Sequence, residues 1–252
     1  MLRALRIFCS CLLVLVLLAP LAAQTPRFRV LAFHSAQGER DHLDFDLEAV
    51  GYFRALALKD GFAFRDTTNW NEMTPETLAG YQVVLWFNAG PSTPAQRQAF
   101  EQYMEHGGAW MGFHGAGWME NRATWPWFAD FLGTLFNGNS WPPLPGTLRA
   151  DHPQHPALAG LPAQFESPAN EWYSWAPSPR TVPGVQVLLT LDAANYPIGF
   201  KDTLTGGDVP VCWTNTRYHM LYTNMGHGAR IFDSPKQNRF FENALLWLGE
   251  GK

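Results

Sequence analysis

Two short apolar runs limit what this chain can fold into. Val83-Val84-Leu85-Trp86-Phe87 and Ala109-Trp110-Met111-Gly112-Phe113 show no polar alternation. Each therefore predicts a strand covered on both faces, as in the middle of a parallel sheet. Between them, Thr93-Pro94-Ala95-Gln96 has the form of a capping box, in which a hydroxyl and an amide satisfy each other's backbone N–H groups. It opens a helix through Phe100, Tyr103 and Met104, stopped at Gly107-Gly108. Parallel neighbours need a crossover of this kind. Upstream, 28–33 reads as a first strand and 44–59 as a helix with Leu47, Val50, Phe53, Leu56 and Ala57 inward. Gly61 ends that helix, 62–65 is a short strand, and Thr74-Pro75-Glu76 begins a short helix. This order predicts an α/β fold, doubly wound, with a mostly parallel, flavodoxin-like sheet. Function is then expected at the strand C-termini, beside a topological switch point.

Residues 118–175 break the pattern. They hold six of the eleven Trp and the run Trp141-Pro142-Pro143-Leu144-Pro145. We read a helix around 127–135 and then long ordered loops. Strand-like runs return at 185–191, 209–213 and 219–223. Ser234-Pro235-Lys236-Gln237 reads as a second capping box, opening a last helix with Phe240, Phe241, Ala244, Leu245 and Leu248 inward. No repeat or linker divides the chain, so 24–252 is read as one domain.

The ends and the charge narrow the function. Arg3 and Arg6, an apolar stretch over 7–18 and Ala22-Ala23 before Gln24 follow the order of a secretory signal peptide over 1–23. A periplasmic or secreted protein is expected, with no membrane span after cleavage. Cleavage takes away Cys9 and Cys11 of the three Cys, leaving Cys212 and no internal disulfide. The formal charge of −4 argues against a nucleic-acid surface, which needs clustered Lys and Arg. With 46% hydrophobic residues, the chain has enough apolar side chains for a core and is not disordered.

Three motifs carry chemistry. Gly112-Phe113-His114-Gly115-Ala116-Gly117 places His114 at a strand-to-helix elbow flanked by small residues. An imidazole there serves as acid, base or metal ligand. Met225-Gly226-His227-Gly228 puts His227 at a second strand end. Asn170-Glu171-Trp172-Tyr173 sets Glu171 among aromatics, where burial would raise its pKa and suit it to general-acid work. His34 and Asp41-His42 are further candidates to line the crevice. Trp118 and Trp172 are candidates to stack on a sugar ring, against the alternative that such rings simply build the core. Cys212, inside an apolar run, is expected to be inert.

Taken in order, these pieces resemble the ThuA-like family, named for trehalose utilisation, within the class I glutamine amidotransferase-like fold. The resemblance rests on Asp41-His42, Tyr81-Gln82-Val83-Val84-Leu85-Trp86, Gly107-Gly108 through His114, Trp125-Pro126-Trp127-Phe128, Phe131-Leu132-Gly133, His155-Pro156-Ala157-Leu158-Ala159-Gly160-Leu161-Pro162, Asn170-Glu171-Trp172-Tyr173 and Gly226-His227. It spans 28–249. It departs from the family at Asn137-Gly138-Asn139-Ser140-Trp141-Pro142, which lacks a usual His-Pro, and at Asn170, where Asp is usual. The resemblance implies a small-molecule carbohydrate partner, a sugar or keto-sugar, and it sets no oligomeric state. It also implies a divalent metal such as zinc at His114, His227 and Glu171. A hydrolase, lyase or isomerase fits, as does a non-catalytic sugar-binding protein. Amidotransferase activity is not expected, because His114 stands where those relatives have Cys.

Overall fold

The computed structural model describes residues 25–192 and 208–251; the expected signal peptide lies outside them. Strands β1 (Arg29–Phe33), β2 (Ala63–Thr67), β3 (Val83–Phe87) and β4 (Ala109–Phe113) pair in parallel in the order β2-β1-β3-β4. Side chains alternate between the two faces of these strands. Val83, Leu85 and Phe87 enter one core, with Phe45, Phe53 and Phe241, while Val84 and Trp86 enter the other, with Phe100, Trp110 and Phe131. Both faces are thus covered, which is why these runs carry no polar residue.

Helix α1 (Arg40–Asp60) connects β1 to β2. It begins four residues earlier than its apolar spacing predicts, because the Glu39 carboxylate accepts the His42 N–H and caps it. Its inner face uses Phe45 and Ala49; Leu47 is 72% exposed, so its expected inward place is corrected. Short α2 (Pro75–Leu78) precedes β3, and α3 (Pro94–Glu105) crosses from β3 to β4 with the complete Thr93–Gln96 capping box.

After β4 the structure corrects the reading of long loops. Helix α4 (Pro126–Leu132) ends at Gly133, in the left-handed conformation, and four strands over 135–176 follow where loops were expected. β5 (Leu135–Asn139) and β8 (Tyr173–Ala176) form a separate antiparallel ribbon. β6 (Leu144–Ala150) and β7 (Gln164–Asn170) join the main sheet beyond β9 (Val185–Leu191) and β10 (Pro210–Asn215). β11 (Tyr218–Thr223) runs parallel to β4 and antiparallel to β10. The nine strands of the main sheet read β2-β1-β3-β4-β11-β10-β9-β6-β7, an α/β fold whose parallel half is the one expected. The last helix, α5 (Pro235–Glu250), is capped by Ser234, but the Gln237 side chain donates to the Ile231 carbonyl instead of completing a box.

β1 has β2 on one side and β3 on the other, so the chain changes direction of travel there. The C-terminal ends of the parallel strands β1, β3, β4 and β11 lie at one edge of the sheet.

Candidate active site and metal centre

His114 sits immediately after β4 with φ of 46°. Among the described residues it shares a positive φ with one other non-glycine, Asn88, which follows β3. Left-handed backbone at a non-glycine residue is strained, and such strain gathers at functional sites. The turn is held tightly. The Tyr222 hydroxyl donates to the His114 carbonyl at 2.8 Å. A Cβ on Gly226 would lie 2.7 Å from the His114 Cβ, so only glycine allows the two turns to approach this closely.

The His114 ring is fully buried, with Tyr173 tilted against it at 4.2 Å between centroids. Nδ1 lies 3.0 Å from both the carbonyl and the side-chain amide of Asn224, and Nε2 lies 3.2 Å from Glu171 Oε2. Without a metal the Glu171 carboxylate can only accept, so Nε2 carries the ring proton. A protonated Nδ1 donates to the Asn224 carbonyl, and an unprotonated one accepts from its amide. Burial lowers the His114 pKa to about 4, despite the opposing pull of Glu171. The ring is neutral near pH 7.

Glu171 comes from the two-residue link between β7 and β8. Its Oε1 accepts from the Asn139 amide on β5, so the small ribbon serves to aim it. Its Oε2 is 3.9 Å from His227 Nε2. Burial would raise the Glu171 pKa, but the His114 hydrogen bond and the surrounding imidazoles outweigh it and hold the carboxyl below its usual value. The expectation of a raised pKa is corrected: Glu171 is a carboxylate, an acceptor rather than a proton donor.

His227 is 3% exposed, and its turn is fixed by Asn170, whose Oδ1 accepts the N–H groups of Gly226 and His227 at 3.1 Å each. Its nearest carboxylates are Glu39 at 3.6 Å from Nε2 and Asp41 at 3.7 Å from Nδ1. The His42 ring, on the first turn of α1, is 5.1 Å from both His114 and His227. Burial first, then the neighbouring His227, lowers its pKa, so it too favours the neutral form.

One donor atom from each of His42, His114, Glu171 and His227 lies within 4.8 Å of the others. His42 Nε2 and His227 Nδ1 are buried without a hydrogen-bond partner, a costly condition for a ring nitrogen. Imidazoles with one carboxylate form a donor set suited to zinc or a similar divalent ion. The residues present fit such a metal.

The sequence candidates therefore divide. His114, Glu171 and His227 converge, and His42, expected only to line the crevice, supplies a fourth donor. His34 stands at the end of β1, yet its Nε2 turns to Asp66 at 3.3 Å and it lies outside the donor group. Trp118 is 58% exposed, one turn beyond the elbow. Trp172 is fully buried and donates to the Leu144 carbonyl, so it presents no face to a sugar, and that expectation is corrected. Sequence reasoning missed Asn88, Asn224 and Asp46. Asp46 is buried, accepts from the Ser35 N–H and the Asn88 amide, and has its pKa raised by burial to about 7. The signal for Asn88 was its position, directly after an apolar strand as His114 is.

Comparison with known proteins agrees with this architecture. A family model described as ThuA, trehalose utilisation, matches residues 29–248. A ThuA-like protein from Bacteroides uniformis is 43% identical, with a TM-score of 0.85, over 89% of this chain and 92% of that one. A second, from Parabacteroides merdae, is 15% identical with a TM-score of 0.66 over 90% and 91%. A protein named for GMP synthase, from Thermoplasma acidophilum, is 10% identical with a TM-score of 0.52 over 87% and 94%. The last two speak for the fold alone. A search of curated proteins found no match.

Proposed function

Since the chain belongs to the ThuA, or trehalose-utilisation, family, we propose that it is an exported protein acting on a sugar or keto-sugar at the His114–Glu171 pair. The observation that carries this reading is the convergence of His42, His114, Glu171 and His227 from four separate segments on one buried point. A set of imidazoles beside an ionised carboxylate is a proton-transfer site.

The chain's own residues divide the work. In the metal-free site, Nδ1 accepts from the Asn224 amide and His114 donates Nε2–H to Glu171 Oε2, so the ionised Glu171 takes the proton from a sugar hydroxyl, a carbon acid or water. The His114 Nε2–H, 3.2 Å from Oε2, orients that carboxylate, and burial keeps the ring neutral. The same proton is then returned to the departing or receiving oxygen. A divalent metal held by His42, His114, Glu171 and His227 would supply polarisation of a sugar carbonyl or a water of lowered pKa. Trp118 offers an exposed ring for the sugar face. Amidotransferase chemistry is not proposed, because the elbow residue is an imidazole. Cys212 is buried in β10 with its thiol pKa raised by burial.

The test is product formation from a panel of sugars and keto-sugars, with metal-free and Zn²⁺-loaded protein. Turnover by the natural sequence that falls at least ~100-fold in His114→Ala is expected. Thermal stabilisation by a sugar with no turnover under either condition would replace this reading with a sugar-binding one.

A further inference from the structure

Three of the four donors lie on segments far apart in sequence, and nothing in the metal or the substrate holds those segments together before binding. One side chain touches all three. Asn88 Oδ1 accepts the Gly115 N–H at 3.0 Å, next to His114. Its Nδ2 donates to the Gly226 carbonyl at 2.9 Å, next to His227, and to the His42 carbonyl at 3.4 Å. The same amide reaches Asp46 Oδ1 at 3.3 Å, one turn along α1 from His42. Two N–H groups are shared among three acceptors, and the shortest contact is to the Gly226 turn.

The backbone of Asn88 is part of the same device. Its φ is 50°, a conformation that Asn tolerates better than most residues. Its N–H donates to the Phe113 carbonyl at 3.3 Å, binding the ends of β3 and β4. A Cβ at Gly115 would lie 2.8 Å from the Asn88 carbonyl oxygen, so the elbow is seated on this residue.

We propose that Asn88 is the positioning residue of the site, holding the His42, His114 and His227 segments in register through one side-chain amide. The proposal rests on the donor group described above and not on the identity of the substrate. Asn88 touches none of the donor atoms; it acts through the peptide groups beside them. Partners of this kind, one step removed from the metal, commonly change metal affinity by roughly 10–100-fold.

Two variants separate the roles. Asn88→Gly keeps the left-handed turn without steric cost and removes only the amide. Asn88→Asp keeps the acceptor for Gly115 and removes the donors to Gly226 and His42. Imidazole ¹⁵N–¹H spectra of metal-free protein read each histidine without metal or sugar, and Zn²⁺ affinity is measured by chelator competition. In Asn88→Gly we expect the His42, His114 and His227 resonances to shift while His106 and His152 stay, with Zn²⁺ affinity lower by roughly 10–100-fold. In Asn88→Asp the His114 resonance should stay near its original place while His42 and His227 move. Unchanged site resonances in Asn88→Gly would overturn the proposal, whatever the melting temperature does. Equal shifts at the distant histidines would overturn it too, since they mark general loosening. If the natural protein binds no Zn²⁺ while the spectra behave as expected, the metal reading fails and the role of Asn88 stands.

Discussion

Asp46 is a carboxyl group with 2% exposure, no cationic partner among the described residues and a pKa raised from 3.8 to about 7 by burial. Its folded-state pKa is above the unfolded one, so the folded state binds the extra proton. The stability linked to Asp46 is complete below about pH 4 and is lost as pH rises through about 7. At ~1.4 kcal/mol per pH unit the ceiling is roughly 4 kcal/mol, before relaxation and water reduce it. Asp46→Asn cannot titrate, so its stability relative to the natural protein should improve between pH 4.5 and pH 8. Urea unfolding of both proteins at the two pH values measures this. A difference that stays constant would mean that Asp46 is ionised throughout. His114 shows the opposite kind of burial: there the same desolvation that strains Asp46 keeps the ring uncharged, the form a metal ligand needs.

Strands and helices decide which tryptophans work in the core and which face solvent. Trp172 lies in the link from β7 to β8 with its indole N–H tied to the Leu144 carbonyl, whereas Trp118 leaves the elbow half-solvated against Phe136. Trp172→Ala should cost about 3–5 kcal/mol of stability, as for other large buried rings. Trp118→Ala should change stability by less than about 1 kcal/mol yet weaken sugar binding. Unfolding curves and a sugar titration on both variants check this; equal effects on both quantities would remove Trp118 from the site. The parallel half of the sheet was legible because strands covered on both faces must be apolar throughout, as 83–87 and 109–113 are. The ribbon of β5 and β8 was not, because Phe136-Asn137-Gly138-Asn139 has neither alternation nor a continuous apolar run, and its partner lies 34 or more residues away. His114, Glu171 and His227 stood out by their glycine and aromatic surroundings. His42 was visible only as part of Asp41-His42, and its role depends on where Glu39 starts α1. Asn88, Asn170 and Asn224 act through single amides, which leave no spacing in a sequence.

The molecule as a whole is a parallel sheet that gathers four loops at one end, extended by antiparallel strands that bring a carboxylate to the same place. Its opposite end has a cavity of about 490 Å³ between Tyr81, Tyr103 and His106, away from the His42, His114, Glu171 and His227 donor group. The central claim is that His42, His114, Glu171 and His227 act as one ligand set. The most direct measurement is a Co²⁺ titration of metal-free protein, followed by its visible absorption, for the natural sequence and for His114→Ala. We predict ligand-field bands that saturate at one equivalent and are lost in His114→Ala, while the variant's far-ultraviolet circular dichroism is unchanged. Bands absent from the natural protein, or equally strong in a folded His114→Ala, would contradict it.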